Sequence, residues 1–124
     1  MLCLSGYTAQ VAALEQHLYT ERSKFPNLDI ECNTVDAVQG REASIVIFSI
    51  VRSNMVGSSG FLREFRRVNV ALSRARDVLA IVGDHKFVAQ AQDMGPLQSV
   101  LSYIRSVPAG AGVHLQCLKP MEKN

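Results

Sequence analysis

Apolar and polar positions along this chain follow two rhythms, and the changes between them mark its elements. Leu2-Cys3-Leu4-Ser5 is a short apolar run and predicts a buried strand. Thr8 is a residue type suited to an N-cap. Val11, Leu14 and Leu18 follow at helical spacing to about Arg22, and Phe25-Pro26-Asn27 breaks the helix. Leu28 to Asn33 reads as a second strand. Thr34 to Ala43 has no clean period and contains Gly40, which predicts a functional loop or a single turn. Ser44 to Val51 is apolar on both sides and β-rich, the pattern of a central parallel strand covered on both faces. Asn54 to Gly60 (NMVGSSG) is a loop, and Arg66 to Arg76 is helical. Val78 to Val82 is another buried strand ended by Gly83-Asp84, and Asp84 could cap a short helix through Gln92. Gly95-Pro96 opens a last helix, Leu97 to Arg105, with Leu97, Val100, Leu101 and Ile104 inward. Pro108 to Gly112 is a turn, and Val113 to Leu118 an edge strand.

Buried strands alternating with helices predict an α/β fold on a mostly parallel sheet, with right-handed crossovers. Ligands of such sheets sit at the carboxyl ends of the strands. The loops to inspect are therefore Ser5-Gly6-Tyr7, Thr34 to Glu42, Arg52 to Gly60 and Gly83-Asp84.

The chain has 124 residues, one domain's worth, with 48% hydrophobic and 19% charged residues, an ordinary globular composition. The apolar run Ile45 to Val51 is too short to span a bilayer. The first ten residues have no basic stretch before their apolar ones, so they make a poor signal peptide. The expected setting is cytoplasmic, or nuclear in a eukaryote, with no membrane partner. Cys3, Cys32, Cys117 and three scattered histidines form no metal-ligand spacing, so buried free thiols are expected rather than a zinc site or disulfide framework.

Net charge is only +2, but Arg41 to Arg76 holds seven arginines, no lysine, and Glu42 and Glu64 as its acids, a local excess of +5. Arginine alone, rather than a mixture with lysine, favours a planar fork gripping phosphate or carboxylate. On a helical wheel, Val68, Ala71, Leu72 and Ala75 form the buried stripe of RRVNVALSRAR. Arg67 and Arg74 border one flank, Asn69 and Arg76 the other. A guanidinium held there can stabilise charge on a transferring phosphoryl group. The blander alternative is border arginines that pair with carboxylates or snorkel. In TVDAVQGRE, Thr34 to Glu42, Gly40 permits close approach of a ligand to the backbone. Gln39 offers donor and acceptor atoms, and Glu42 is a pure acceptor suited to ribose hydroxyls.

TVDAVQGRE, SIVIFSIVRSN and GFLREFRRVNVALSRARDVLAIVGD together resemble the second RecA-like domain of superfamily 1 helicases. They look most like the 5′-to-3′ branch containing the nonsense-mediated-decay RNA helicase. There they correspond to motifs V and VI. Ser5 to Gln10 is similar to the family's upstream TPYxxQ segment, with Gly6 where the family has proline, which loosens that loop. The resemblance runs from Leu4 to about Asp84. It implies a RecA-like three-layer sandwich. Arg74 would be the arginine finger, and Gln39, Gly40, Glu42 and Arg74 the nucleotide contacts. Thr34, Val35 and Asp36 would face a single strand of RNA or DNA, with Arg67 and Asn69 in support.

The chain contains no GxxxxGK[ST] and no Gly-Lys pair. The resemblance therefore implies a C-terminal motor domain, inactive alone. Its partner would be a first RecA-like domain of the same parent, which would supply the rest of an ATP and Mg²⁺ site. Residues 1–124 would be one such domain without that partner. The alternative is a stand-alone nucleic-acid-binding or interaction module on the same fold.

Overall fold

The computed structural model describes residues 1–50, 65–83, 95–108 and 112. Four strands, β1 (Leu2–Ser5), β2 (Glu31–Thr34), β3 (Ala43–Ser49) and β4 (Ala75–Val82), form one sheet in the order β2-β1-β3-β4, with every pairing parallel. Helices α1 (Thr8–Glu21), α2 (Phe65–Leu72) and α3 (Gly95–Ser106) flank it, with short 3-10 turns at Arg22–Lys24 and Asp36–Val38. The chain thus forms the α/β three-layer sandwich expected.

Strand parity assigns the layers. Leu2 and Leu4 point to one face and Cys3 and Ser5 to the other. The first face carries the main core, where Leu2, Leu4, Val46 and Phe48 pack against Val68 and Ala71 of α2 and Leu97 and Leu101 of α3. Val35 and Val38 sink into the same core. On the opposite face α1 packs on β1 and β2, burying Val11. It does not extend over the outer half of the sheet. Ile45, Val78 and Val82 are accordingly 37%, 50% and 53% exposed, and the expectations of a β3 buried on both faces and of a buried Val78–Val82 strand are corrected there.

Other boundaries also shift. Thr8 is the first helical residue of α1; the cap is Tyr7, which makes no side-chain cap bond. Instead the Tyr7 N–H donates to Ser5 Oγ at 3.2 Å. β2 begins at Glu31 rather than Leu28, because Leu28 lies half exposed outside the sheet. α2 ends at Leu72, not Arg76. Ala75 continues the helical stripe in sequence, but in space it is the first residue of β4, paired with Ala43. The loop at Asn54–Gly60, the Asp84 helix and the Val113–Leu118 strand lie outside the described residues.

At the Thr34–Glu42 turn, geometry requires a glycine. Gly40 has φ +84, and its turn is closed by the Arg41 N–H donating to the Val38 carbonyl at 2.9 Å. A Cβ there would meet nothing within 4 Å, so Gly40→Ala tests backbone strain alone. We expect a loss of about 1–2 kcal/mol, read by urea unfolding. An unchanged midpoint would show that this turn is not held in the native state.

Candidate functional site

The Thr34–Glu42 segment crosses the sheet from its carboxyl rim to its amino rim. It leaves the carboxyl end of β2, buries Val35 and Val38, and delivers Glu42 to the amino end of β3. α2 returns the chain the same way and brings Arg74 to the amino end of β4, where the Ala43 N–H donates to the Arg74 carbonyl at 3.0 Å. The candidate residues therefore separate into two groups on opposite rims. Gln39, Gly40, Glu42 and Arg74 belong to the amino rim. Placement at the carboxyl rim, expected from open parallel sheets in general, holds only for the start of this segment.

Arg74 follows α2 instead of lying on it, and the reason is local. The last carbonyls of a helix lack intrahelical donors and carry partial negative charge. The Val70 carbonyl accepts from Ser73 N–H (3.2 Å), Ser73 Oγ (3.1 Å) and Arg74 Nε (3.1 Å). The Arg74 guanidinium thus caps the helix end. Its Nη1 reaches across to the Arg41 carbonyl at 3.1 Å, and Nη2 to Ser73 Oγ at 3.1 Å. All three acceptors are neutral. Among the described residues no carboxylate pairs with Arg74, so its charge is fixed in position without being neutralised. Glu42, next to Arg41, is exposed, as are Gln39 and Gly40.

The neighbouring arginines divide by partner. Arg41 forms an ion pair with Glu31 Oε2 at 2.8 Å, and Arg76 Nη2 donates to Ser44 Oγ at 3.1 Å. Between Ala43/Ala75 and Ile45/Val78, β4 carries one residue more than β3, a bulge. Bulges re-aim side chains and recur beside functional sites. This one adjoins Arg74.

At the carboxyl rim, Thr34 is half-buried and its Oγ1 accepts from the Ala37 N–H at 3.4 Å. Asp36 is exposed and pairs with Arg67, whose Nε donates to Oδ1 at 3.0 Å and whose Nη2 meets Oδ2. That contact ties α2 to the loop. Asn69 is exposed on α2. Val35 is corrected: it is 1% exposed, and its N–H donates to the Ser5 carbonyl, so its side chain belongs to the core.

Sequence reasoning missed Gln10 as a connector. Ser5 Oγ donates to Gln10 Oε1 at 2.5 Å, and Gln10 Nε2 donates to Ser49 Oγ at 2.8 Å. Ser5 and Ser49 are register partners, so one amide clamps the carboxyl ends of β1 and β3. The SGYTAQ segment contained Ser5 and Gln10, but nothing in it pointed to Ser49. Among the described residues no group of three or more His, Cys, Asp or Glu side chains could hold a metal ion, and no helix is long and apolar enough to cross a membrane.

A family profile for the AAA domain matches residues 1–86. The chain belongs to the AAA-domain family of superfamily 1 helicases. It is 45% identical over 90 residues to the DNA polymerase alpha-associated DNA helicase A of Schizosaccharomyces pombe, covering 73% of this chain and 13% of that protein. It is 44% identical over 91 residues to a Drosophila melanogaster regulator of nonsense transcripts 1 homolog, covering 72% and 8%. A third relative, the DNA replication ATP-dependent helicase/nuclease DNA2 of Xenopus tropicalis, is 38% identical over 113 residues, or 85% of this chain and 11% of that protein. The chain therefore spans only a small part of each relative. These matches agree with a RecA-like helicase domain of the decay-helicase group.

Proposed function

We propose that this chain is the C-terminal motor domain of an ATP-dependent helicase, supplying one wall of a nucleotide pocket and part of a track for single-stranded RNA or DNA. The observation that carries the reading is Arg74: a guanidinium held by the Val70 and Arg41 carbonyls, the latter adjoining Glu42 in sequence, and paired with no carboxylate among the described residues. The donor set fits a nucleotide. An arginine suits a phosphate, an exposed carboxylate suits ribose hydroxyls, and the Gly40 turn leaves the backbone accessible. Bound nucleotide supplies the phosphoryl group. This chain's part is to hold positive charge where negative charge develops.

Mg²⁺ and the phosphate cradle would come from a first RecA-like domain, since this chain has no GxxxxGK[ST] and its described residues hold no metal-ligating cluster. At the opposite rim, Thr34 and Asp36 would meet the nucleic acid, with Arg67 orienting Asp36 and Asn69 on the adjoining face of α2. The setting would be cytoplasmic or nuclear.

The test is turnover with and without that partner domain. The purified 124-residue chain should hydrolyse ATP at the buffer rate. Joined to a first RecA-like domain from a relative, it should give nucleic-acid-stimulated hydrolysis. Turnover by the chain alone, or none in a folded two-domain protein, would overturn the reading. The arginine-rich window favours a second reading, a stand-alone nucleic-acid-binding module. It predicts salt-dependent single-strand binding by the chain alone.

A further inference from the structure

Cys3 and Cys32 are separated by 28 residues in sequence and are direct register partners across the parallel strands β1 and β2. Both are free thiols. Neighbouring strands lie about 4.7–4.9 Å apart, within the Cα separation of about 4.4–6.8 Å that a disulfide spans. Residues in register on parallel strands point to the same face, so the two thiols lie side by side on neighbouring strands. Cys3 is half-buried. Cys32 is 6% exposed but lines a groove of about 490 Å³ between α1 and the edge strand β2, beside Leu18, Phe25 and Leu28. A small reagent thus has a path to Cys32, and Cys3 on the neighbouring strand is itself partly exposed.

We propose that Cys3 and Cys32 form a dithiol site that small-molecule disulfides oxidise to an intramolecular disulfide. The Cys3 thiolate attacks one sulfur of the reagent, whose S–S bond breaks and releases one thiol. Cys32 then attacks the Cys3 sulfur and expels the second thiol. Two protein thiols lose two protons and two electrons, and the reagent leaves as two thiols.

The surroundings set the rate. Burial pushes the Cys3 thiol up, partly offset by the neighbouring Cys32 thiol and by the N-terminal ammonium. Cys32 is pushed up to about 11 by burial first, then by Cys3 and the carboxylates Glu15 and Glu31. Both thiols are protonated near neutrality, so exchange is slow there and accelerates as pH rises and thiolate forms. Once closed, the bond staples edge strand β2 to β1 two residues before Thr34, pinning the entry to the Thr34–Glu42 segment.

The experiment treats the folded chain with oxidised glutathione across pH 7 to 9. We expect loss of two hydrogen atoms by intact mass and, after trypsin, peptide 1–22 linked to peptide 25–41. The rate should rise about tenfold per pH unit with thiolate concentration, and thermal unfolding of the oxidised chain should lie several degrees higher. Cys3→Ser and Cys32→Ser should each abolish the linked pair. Linkage formed only in denaturant, linkage solely through Cys117, or a pH-independent rate would overturn the proposal. Mapping the wild-type chain keeps it decidable if a serine variant fails to fold.

Discussion

Arg74→Ala, placed in an ATP-dependent helicase carrying this domain, should lower ATP turnover by about a thousandfold or more while nucleotide affinity changes only a few-fold. The asymmetry follows from where the charge acts. A guanidinium aimed at charge that grows during phosphoryl transfer stabilises the transition state more than the bound ground state. Arg74 is suited to this because its Nε and Nη1 are held by carbonyls, so delivering its charge requires no rotamer search. Lysine offers a single point of charge and cannot span both carbonyls while meeting a phosphate, so Arg74→Lys should recover only a small fraction of the rate. The same variants lose the bonds to Val70 and Arg41, partly exposed and together worth about 1 kcal/mol. A melting curve beside the steady-state and nucleotide-titration measurements separates this from the catalytic loss. Wild-type turnover in Arg74→Ala would remove Arg74 from the finger role.

The largest stability effect is expected at Phe48. It is fully buried near the carboxyl end of β3, in register with Leu4 and Ile81, and joins the core that α2 and α3 close. Phe48→Ala should cost about 3–5 kcal/mol through lost burial and the cavity left behind. Domains of this kind have roughly 5–15 kcal/mol to lose, so the variant should be at the margin of folding. Urea denaturation gives the value directly. A loss below about 1 kcal/mol would mean that the helical layer does not pack over this strand.

The apolar runs at Leu2–Ser5, in Ala43–Ser49 and in Ala75–Val82 disclosed the sheet: the last two are rich in β-branched residues, and the first is a short apolar run bounded by a polar turn. The last helix was equally legible, since Leu97 and Leu101 recur at helical spacing and both are buried. The end of α2 was not legible. Ala71 and Ala75 suit one helical stripe, and only pairing with Ala43 assigns Ala75 to β4. The candidate site followed the same division. The residue types at Gly40, Glu42 and Arg74 could be read from two motifs. Their place on the amino rim depends on a segment crossing the sheet, a tertiary fact with no local signal. Val35 entered the nucleic-acid set through the resemblance to motif V, and a motif match does not disclose that its side chain is 1% exposed in the core beneath it. The Cys3–Cys32 pairing likewise needed the register of two distant strands.

The crossing segment has one more consequence. Its ends are fixed by β2 and β3 on opposite rims, and its middle is fastened by two valine side chains in the core. Its residue count is thereby tied to the depth of the sheet. Most surface connections absorb an extra residue at little cost. Here a single insertion or deletion between Val35 and Val38 would unseat one valine or carry Gly40 and Glu42 out of step with Arg74. Length, as much as composition, is what this stretch has to preserve.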